Sequence, residues 1–150
     1  MDKVKKKFKD TDYQQIKKRS SKSMKQISKD LRRTSIPDIK EETQKENYFS
    51  SINFVLNAYA NLNEKVGYVQ GMNIIVSSIL YNICNGDYAF LSTYEEECFW
   101  LFVSLLERYE MKYCYYKSMK KVFELSNSLE FCLQRNQAVV FDHINSNDVG

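Results

Sequence analysis

Two short stretches of the sequence carry side chains whose types and spacing could do chemistry: residues 26–34 (QISKDLRRT) and residues 67–73 (GYVQGMN). In the first stretch Ile27, Asp30 and Arg33 stand three residues apart, so Asp30 would lie one helical turn from both of the others. Its carboxylate could then hold the Arg33 guanidinium through a charge-assisted hydrogen bond and fix a long cationic side chain. The alternative is an ordinary exposed ion pair, which contributes on the order of a few tenths of a kcal/mol.

The second stretch places two of the chain's four glycines within five positions. Gly67 and Gly71 lack a Cβ, so the backbone there can turn sharply and another surface can approach it closely. In an extended segment Tyr68 and Gln70 would share one face, and Gln70 could project its amide outward. The alternative is a plain helix-to-helix turn with a helix cap.

Helices must position these two stretches, because one proline and four glycines are too few to punctuate a sandwich or a barrel. Apolar residues at three- and four-residue intervals predict an all-α fold. The predicted helical segments are residues 13–33, 48–62, 70–84, 95–111, 113–132 and 137–144. Residues 95–97 are acidic and are expected to begin their helix, where the helix dipole favours them. Polar residues around Pro37 predict a connector, and residues 85–87 (NGD) predict a turn.

The cysteines exclude two common classes of small domain. Cys84, Cys98, Cys114 and Cys132 are widely spaced, and His143 is the only histidine. Zinc ligands usually come in close pairs, so this pattern suits neither a zinc site nor a secreted disulfide scaffold. We expect four reduced core thiols and a cytoplasmic protein. The sequence also lacks the P-loop, HExxH and GxSxG motifs.

The charge is concentrated at one end. Residues 1–33 hold 13 Lys and Arg against 4 Asp and Glu, a net charge of +9, and the rest of the chain carries −6. Residues 1–12 are therefore interpreted as a basic arm or an exposed helical lead-in, which either aids solubility or contacts an anionic membrane surface through residues 1–10. Nucleic acid is disfavoured as a partner because the arm lacks interleaved aromatic residues beyond Phe8 and Tyr13. No apolar run reaches the roughly 18 residues of a membrane span, so we expect a cytoplasmic protein, with peripheral attachment to endomembranes left open.

Together the two stretches resemble the TBC domain, a GTPase-activating domain that acts on Rab-type small GTPases. The two catalytic motifs of that family, IxxDxxR and YxQ, are matched by residues 27–33 and 68–70. The likeness extends to Thr34, to the flanking glycines and to residues 95–100 (EEECFW). The resemblance implies an irregular multi-helix bundle, in which residues 13–150 form the N-terminal, finger-bearing part of a TBC domain that is truncated at its C-terminus.

The resemblance also implies a mechanism in which the chain supplies two groups to a GTPase in trans. Arg33 would neutralise charge on the transferring phosphoryl group, and Gln70 would orient the attacking water in place of the GTPase's own glutamine. Arg32 is a rival for the arginine role, disfavoured because the spacing of three from Asp30 selects Arg33. Supporting roles follow for Asp30, which would orient Arg33, and for Tyr68, which would pack or hydrogen bond beside the glutamine. Thr34, Gly67, Gly71 and Asn73 would contact the partner.

No cofactor is expected on the chain itself, because GTP and Mg²⁺ would be carried by the partner, a Rab-type GTPase in its GTP form. The implied process is vesicle trafficking. Two alternatives remain: a helical module that binds a GTPase without catalysis, and a helical scaffold whose basic arm docks on a membrane.

Overall fold

The computed structural model describes residues 2–35 and 39–146, and all regular structure in this part of the chain is helical. The all-α prediction is therefore confirmed. The helices are α1 (Asp2–Lys7), α2 (Tyr13–Ile16), α3 (Met24–Leu31), α4 (Glu42–Leu62), α5 (Met72–Cys84), α6 (Leu91–Arg108), a 3₁₀ helix (Met111–Tyr115), α7 (Lys120–Asn136) and α8 (Ala138–Ser146). None of these helices combines the length and the hydropathy that crossing a membrane requires.

The chain divides into two compact units, Met1–Met111 and Lys112–Gly150. In the first unit α4, α5 and α6 pack on one another, while α2 and α3 lie against α4. The apolar stripes predicted from the sequence meet in this core, whose largest fully buried side chains include Tyr48, Ile52, Leu56, Leu80, Phe99 and Phe102. Ile27 is also fully buried and attaches α3 to this core, which sets where the end of α3 lies.

Helix α6 begins earlier than the sequence predicts. It starts at Leu91, so no acidic residue lies in its first turn, and the expectation that residues 95–97 begin the helix is wrong. Glu95 is only 3% exposed. Its carboxylate accepts hydrogen bonds from Lys17 Nζ (2.6 Å) and from Ser51 Oγ (3.0 Å). A buried charge needs partners of this kind, so Glu95 joins α2, α4 and α6 instead of capping a helix.

The basic lead-in is helical and lies against α6. Lys7 forms an ion pair with Glu107, and Lys5 Nζ lies 5.8 Å from the centre of the Trp100 ring. Two of its lysines are thus engaged by the first unit, whereas Lys3 and Lys6 remain exposed.

The second unit contains most of the 3₁₀ helix, from Lys112 onwards, together with α7 and α8, and these described helices contain no buried residue. Two helices packed on each other cannot enclose a side chain, which explains why Cys132 is exposed and Cys114 only half-buried. The prediction of four core thiols therefore holds for Cys84 and Cys98 alone. All four cysteines are free.

The helix predicted over residues 13–33 is wrong as one element, because α2 ends at Ile16 and α3 begins at Met24. In the break, the Asn57 amide donates to the main-chain carbonyls of Lys17 and Arg19.

The turn and the connector predicted further along the chain agree better with the structure where they are described. Asn85 and Gly86 have φ values of +47° and +87°, so the predicted turn at residues 85–87 is confirmed. Residues 36–38, on which the connector prediction falls in part, lie outside the described residues. Helix α4 begins at Glu42, which shortens that connector by half a dozen polar residues.

Candidate functional site

The two stretches singled out in the sequence meet at one open cleft of about 540 Å³. Helix α3 ends at Leu31 and helix α5 begins at Met72, and the residues after the one and before the other form two sides of the cleft. Arg33 and Gln70 both line it, and both side chains are exposed. Its lining residues are Asp30, Arg33, Ser35, Gln70, Gly71, Asn73, Ile74, Ser77 and Ser78.

Arg33 is positioned through its main chain. Its backbone N–H donates to the carbonyl of Asp30 (3.1 Å), which places it in the turn that closes α3. No ion pair joins its guanidinium to the Asp30 carboxylate within residues 2–35 and 39–146, so the predicted direct contact is not observed. Arg33 lies beyond the last helical residue, so the one-turn geometry assumed for residues three apart does not apply.

The Asp30 carboxylate instead faces the interior, where Asp30 is only 5% exposed. It accepts hydrogen bonds from Gln26 Nε2 (3.1 and 3.2 Å) and from the Tyr68 hydroxyl (2.9 Å). Asp30 therefore supports Arg33 by fixing the end of α3 and by binding the segment that carries Gln70.

The loop that carries Gln70 is shaped by its two glycines. Gly67 and Gly71 have φ values of +62° and +98°, in the left-handed region that side chains with a Cβ avoid. A Cβ on Gly67 would also lie 3.2 Å from Ser23 Oγ. Tyr68 is buried and Gln70 is exposed, so the two side chains do not share a face as an extended strand would require.

Thr34 and Asn73, expected from the resemblance to contact a partner, are 8% and 6% exposed and face each other in the interior. Asn73 Nδ2 donates to Thr34 Oγ1 (2.7 Å), and Thr34 Oγ1 donates to the Asp30 carbonyl (2.9 Å). The Tyr68 hydroxyl lies 3.1 Å from Asn73 Oδ1. Asp30, Thr34, Tyr68 and Asn73 thus form a closed polar cluster that is almost fully buried at the floor of the cleft, where Asp30 and Asn73 also line it.

The family model described as RabGAP-TBC, the Rab-GTPase-TBC domain, matches residues 1–150, which is the whole chain. The chain belongs to the RabGAP-TBC family. No solved structure matches it. Family membership indicates a Rab GTPase as the partner of this TBC domain.

The environment of Tyr68 in this TBC domain keeps its hydroxyl protonated. Burial raises the pKa of Tyr68, and its hydrogen bond to the Asp30 carboxylate raises it further. A protonated hydroxyl can donate to the carboxylate at any physiological pH. The cluster is therefore held by a charge-assisted hydrogen bond, the stronger kind.

Two residues in or near this cleft escape motif-based prediction. Ile74 lines the cleft and is 62% exposed, although its spacing on α5 resembles that of a core residue. Gln26 donates to the Asp30 carboxylate. The two residues are four apart on α3, and this spacing could have predicted the contact. Among the described residues no group of three or more His, Cys, Asp or Glu side chains could hold a metal ion.

Proposed function

We propose that this TBC domain accelerates GTP hydrolysis by a Rab-type GTPase in its GTP form, with Arg33 and Gln70 supplied in trans. One observation carries the proposal: a cationic and an amide side chain, from separate segments, are both exposed at a single cleft. A cleft on the surface can receive the rim of another protein's nucleotide site, whereas buried groups could not reach it.

The two side chains match the two requirements of phosphoryl transfer. Negative charge on the transferring group must be stabilised, and an attacking water must be held in line with it. The Arg33 guanidinium is always charged and presents several donors in a plane. The Gln70 amide can accept a hydrogen bond from a water and donate one to a neighbouring oxygen. Arg33 is therefore assigned to charge stabilisation and Gln70 to the water.

The nucleotide is assigned to the partner. The chain has no P-loop to hold phosphates, and P-loop GTPases carry their own Mg²⁺ and phosphate-binding loop. Beside the two polar groups, exposed Ile74 offers an apolar contact. An apolar anchor next to catalytic polar groups would contribute to affinity for the partner surface.

Single-turnover GTP hydrolysis with a panel of Rab GTPases tests the proposal. Arg33→Ala should remove roughly 10³- to 10⁵-fold of acceleration, or about 4 to 7 kcal/mol of barrier. Arg32→Ala is the matched control, because Arg32 is also exposed at the end of α3 but does not line the cleft. An Arg33→Ala variant that keeps most of the acceleration would refute the assignment.

The same assay separates the alternative of a binding module. If the wild-type chain binds a GTPase in its GTP form without accelerating hydrolysis, the chain recognises its partner but does not catalyse. Both the proposed activity and the roles of Arg33 and Gln70 would then be rejected.

A further inference from the structure

We propose that Asn73 is a positioning residue that sets the spacing between Arg33 and Gln70. Its side-chain amide bonds to Thr34 and to Gly71, which are the residues directly after Arg33 and Gln70. The inference rests on the proposed function, since it assigns to a buried residue the alignment of the two groups that would act on the phosphate.

The two ends of the Asn73 amide have different partners. The backbone N–H of Gly71 donates to Oδ1 (3.0 Å), and Nδ2 donates to Thr34 Oγ1 (2.7 Å). A backbone N–H can only donate, so Oδ1 must face Gly71 and the amino group must face Thr34. One planar group therefore links the segment after α3 to the segment before α5.

The rest of the polar cluster anchors this link. The Thr34 hydroxyl donates a hydrogen bond to the Asp30 carbonyl at the end of α3 (2.9 Å). The Tyr68 hydroxyl donates to the Asp30 carboxylate (2.9 Å). Removing the bond between Asn73 and Thr34 would leave the buried Asn73 amino group without its partner, which is costly. The cluster therefore fixes the backbones on both sides of the cleft while leaving the side chains of Arg33 and Gln70 exposed.

Alignment of this kind matters because both groups must reach one phosphoryl group at once. A displacement of about 1 Å can reduce a rate about 100-fold. Within residues 2–35 and 39–146 no hydrogen bond joins the Arg33 side chain to that of Gln70. Their relative position thus depends on the buried cluster, in which the Asn73 amide joins the residues directly after each of them.

The test compares Thr34→Val, which keeps the shape and removes the hydroxyl, with Thr34→Ser, which keeps the hydroxyl. For Thr34→Val we expect the maximal single-turnover rate to fall about 10- to 100-fold. The concentration of the TBC domain that gives half of the maximal rate should change less than about twofold, because the exposed surface that meets the partner is intact. Thr34→Ser should restore most of the rate. A purely structural role would not separate the two kinetic parameters in this way.

Amide hydrogen exchange gives a second readout that does not depend on activity. Thr34→Val should speed exchange in residues 67–71, across the cleft from the substitution, and Thr34→Ser should not. Wild-type rates together with unchanged exchange in Thr34→Val would overturn the inference while the proposed function stands. A wild-type chain that accelerates no GTPase would instead reject the proposed function, and the positioning role with it.

A measurement on the wild-type chain covers the case in which Thr34→Val fails to fold. The Asn73 side-chain amide should exchange with solvent at least about tenfold more slowly than that of Asn85, which is exposed in a turn. Equal rates for the two side chains would show that the link through Asn73 is absent.

Discussion

Replacing Tyr68 by phenylalanine removes one hydroxyl from the polar cluster and leaves the aromatic ring in place. The lost group donates to the Asp30 carboxylate at 2.9 Å and lies 3.1 Å from Asn73 Oδ1. Because both partners are buried, water cannot replace the hydroxyl without rearrangement. We therefore expect Tyr68→Phe to destabilise the fold and to lower the GTPase-activating rate.

The loss of folding free energy in Tyr68→Phe depends on which hydrogen-bond donors Asp30 keeps. A hydrogen bond to a charged group contributes about 1.5 to 3 kcal/mol. Gln26 Nε2 still lies within 3.2 Å of both Asp30 oxygens, so the charge keeps one donor. This places the loss in the lower half of that range, at about 2 kcal/mol. At about 4 °C per kcal/mol for a domain of this size, the melting temperature should fall by roughly 8 °C.

Urea denaturation followed by circular dichroism measures this loss directly. Tyr81→Phe is the matched control, because Tyr81 lies on α5 and is 49% exposed. It should change the free energy of unfolding by less than about 0.5 kcal/mol. If Tyr68→Phe proves as stable as Tyr81→Phe, the hydroxyl contributes nothing to the cluster and the reasoning fails.

Three further predictions concern other parts of the molecule. Burial raises the pKa of Tyr48 to about 12, so the unfolded chain loses this proton first; the free energy of unfolding should decline as pH rises from about 10 towards 12, and Tyr48→Phe should flatten that decline in urea titrations. Ile74→Asp should weaken binding of the GTPase at least about tenfold with little change in the maximal rate, and an unchanged dissociation constant would exclude Ile74 from the interface. Lys3→Glu combined with Lys6→Glu should reduce salt-sensitive co-sedimentation with anionic vesicles, and equal binding by the wild type and the variant would exclude α1 as a membrane contact.

The sequence predicted the helical architecture because its signals are local. The apolar spacing of Tyr48, Ile52, Val55 and Leu56 is visible in a single window, and all four side chains are buried in α4. The positive φ values of Gly67 and Gly71 were likewise foreseeable from residue type. The stripe on α4 and the two glycine turns, which each depend on one segment, therefore agree with the structure. The single helix predicted over residues 13–33 does not, because the chain leaves helical geometry between Ile16 and Met24.

Predictions about partners failed where the partner is distant in sequence. Spacing suggested that Asp30 would hold Arg33, but the Tyr68 hydroxyl reaches the carboxylate from a different segment. Helix-dipole reasoning placed Glu95 at a helix start, but Lys17 and Ser51 bind it in the interior. A rule based on sequence spacing considers only contacts between residues close in sequence. It cannot predict a hydrogen-bond partner that tertiary packing brings from a distant segment.

The most direct test of the central claim uses a Rab GTPase whose own catalytic glutamine has been replaced by alanine. If Gln70 orients the water in trans, the wild-type chain should still accelerate single-turnover GTP hydrolysis by this GTPase, and Gln70→Ala should abolish the acceleration. A chain that accelerates only GTPases with their own glutamine, or a Gln70→Ala variant that remains fully active, would contradict the account.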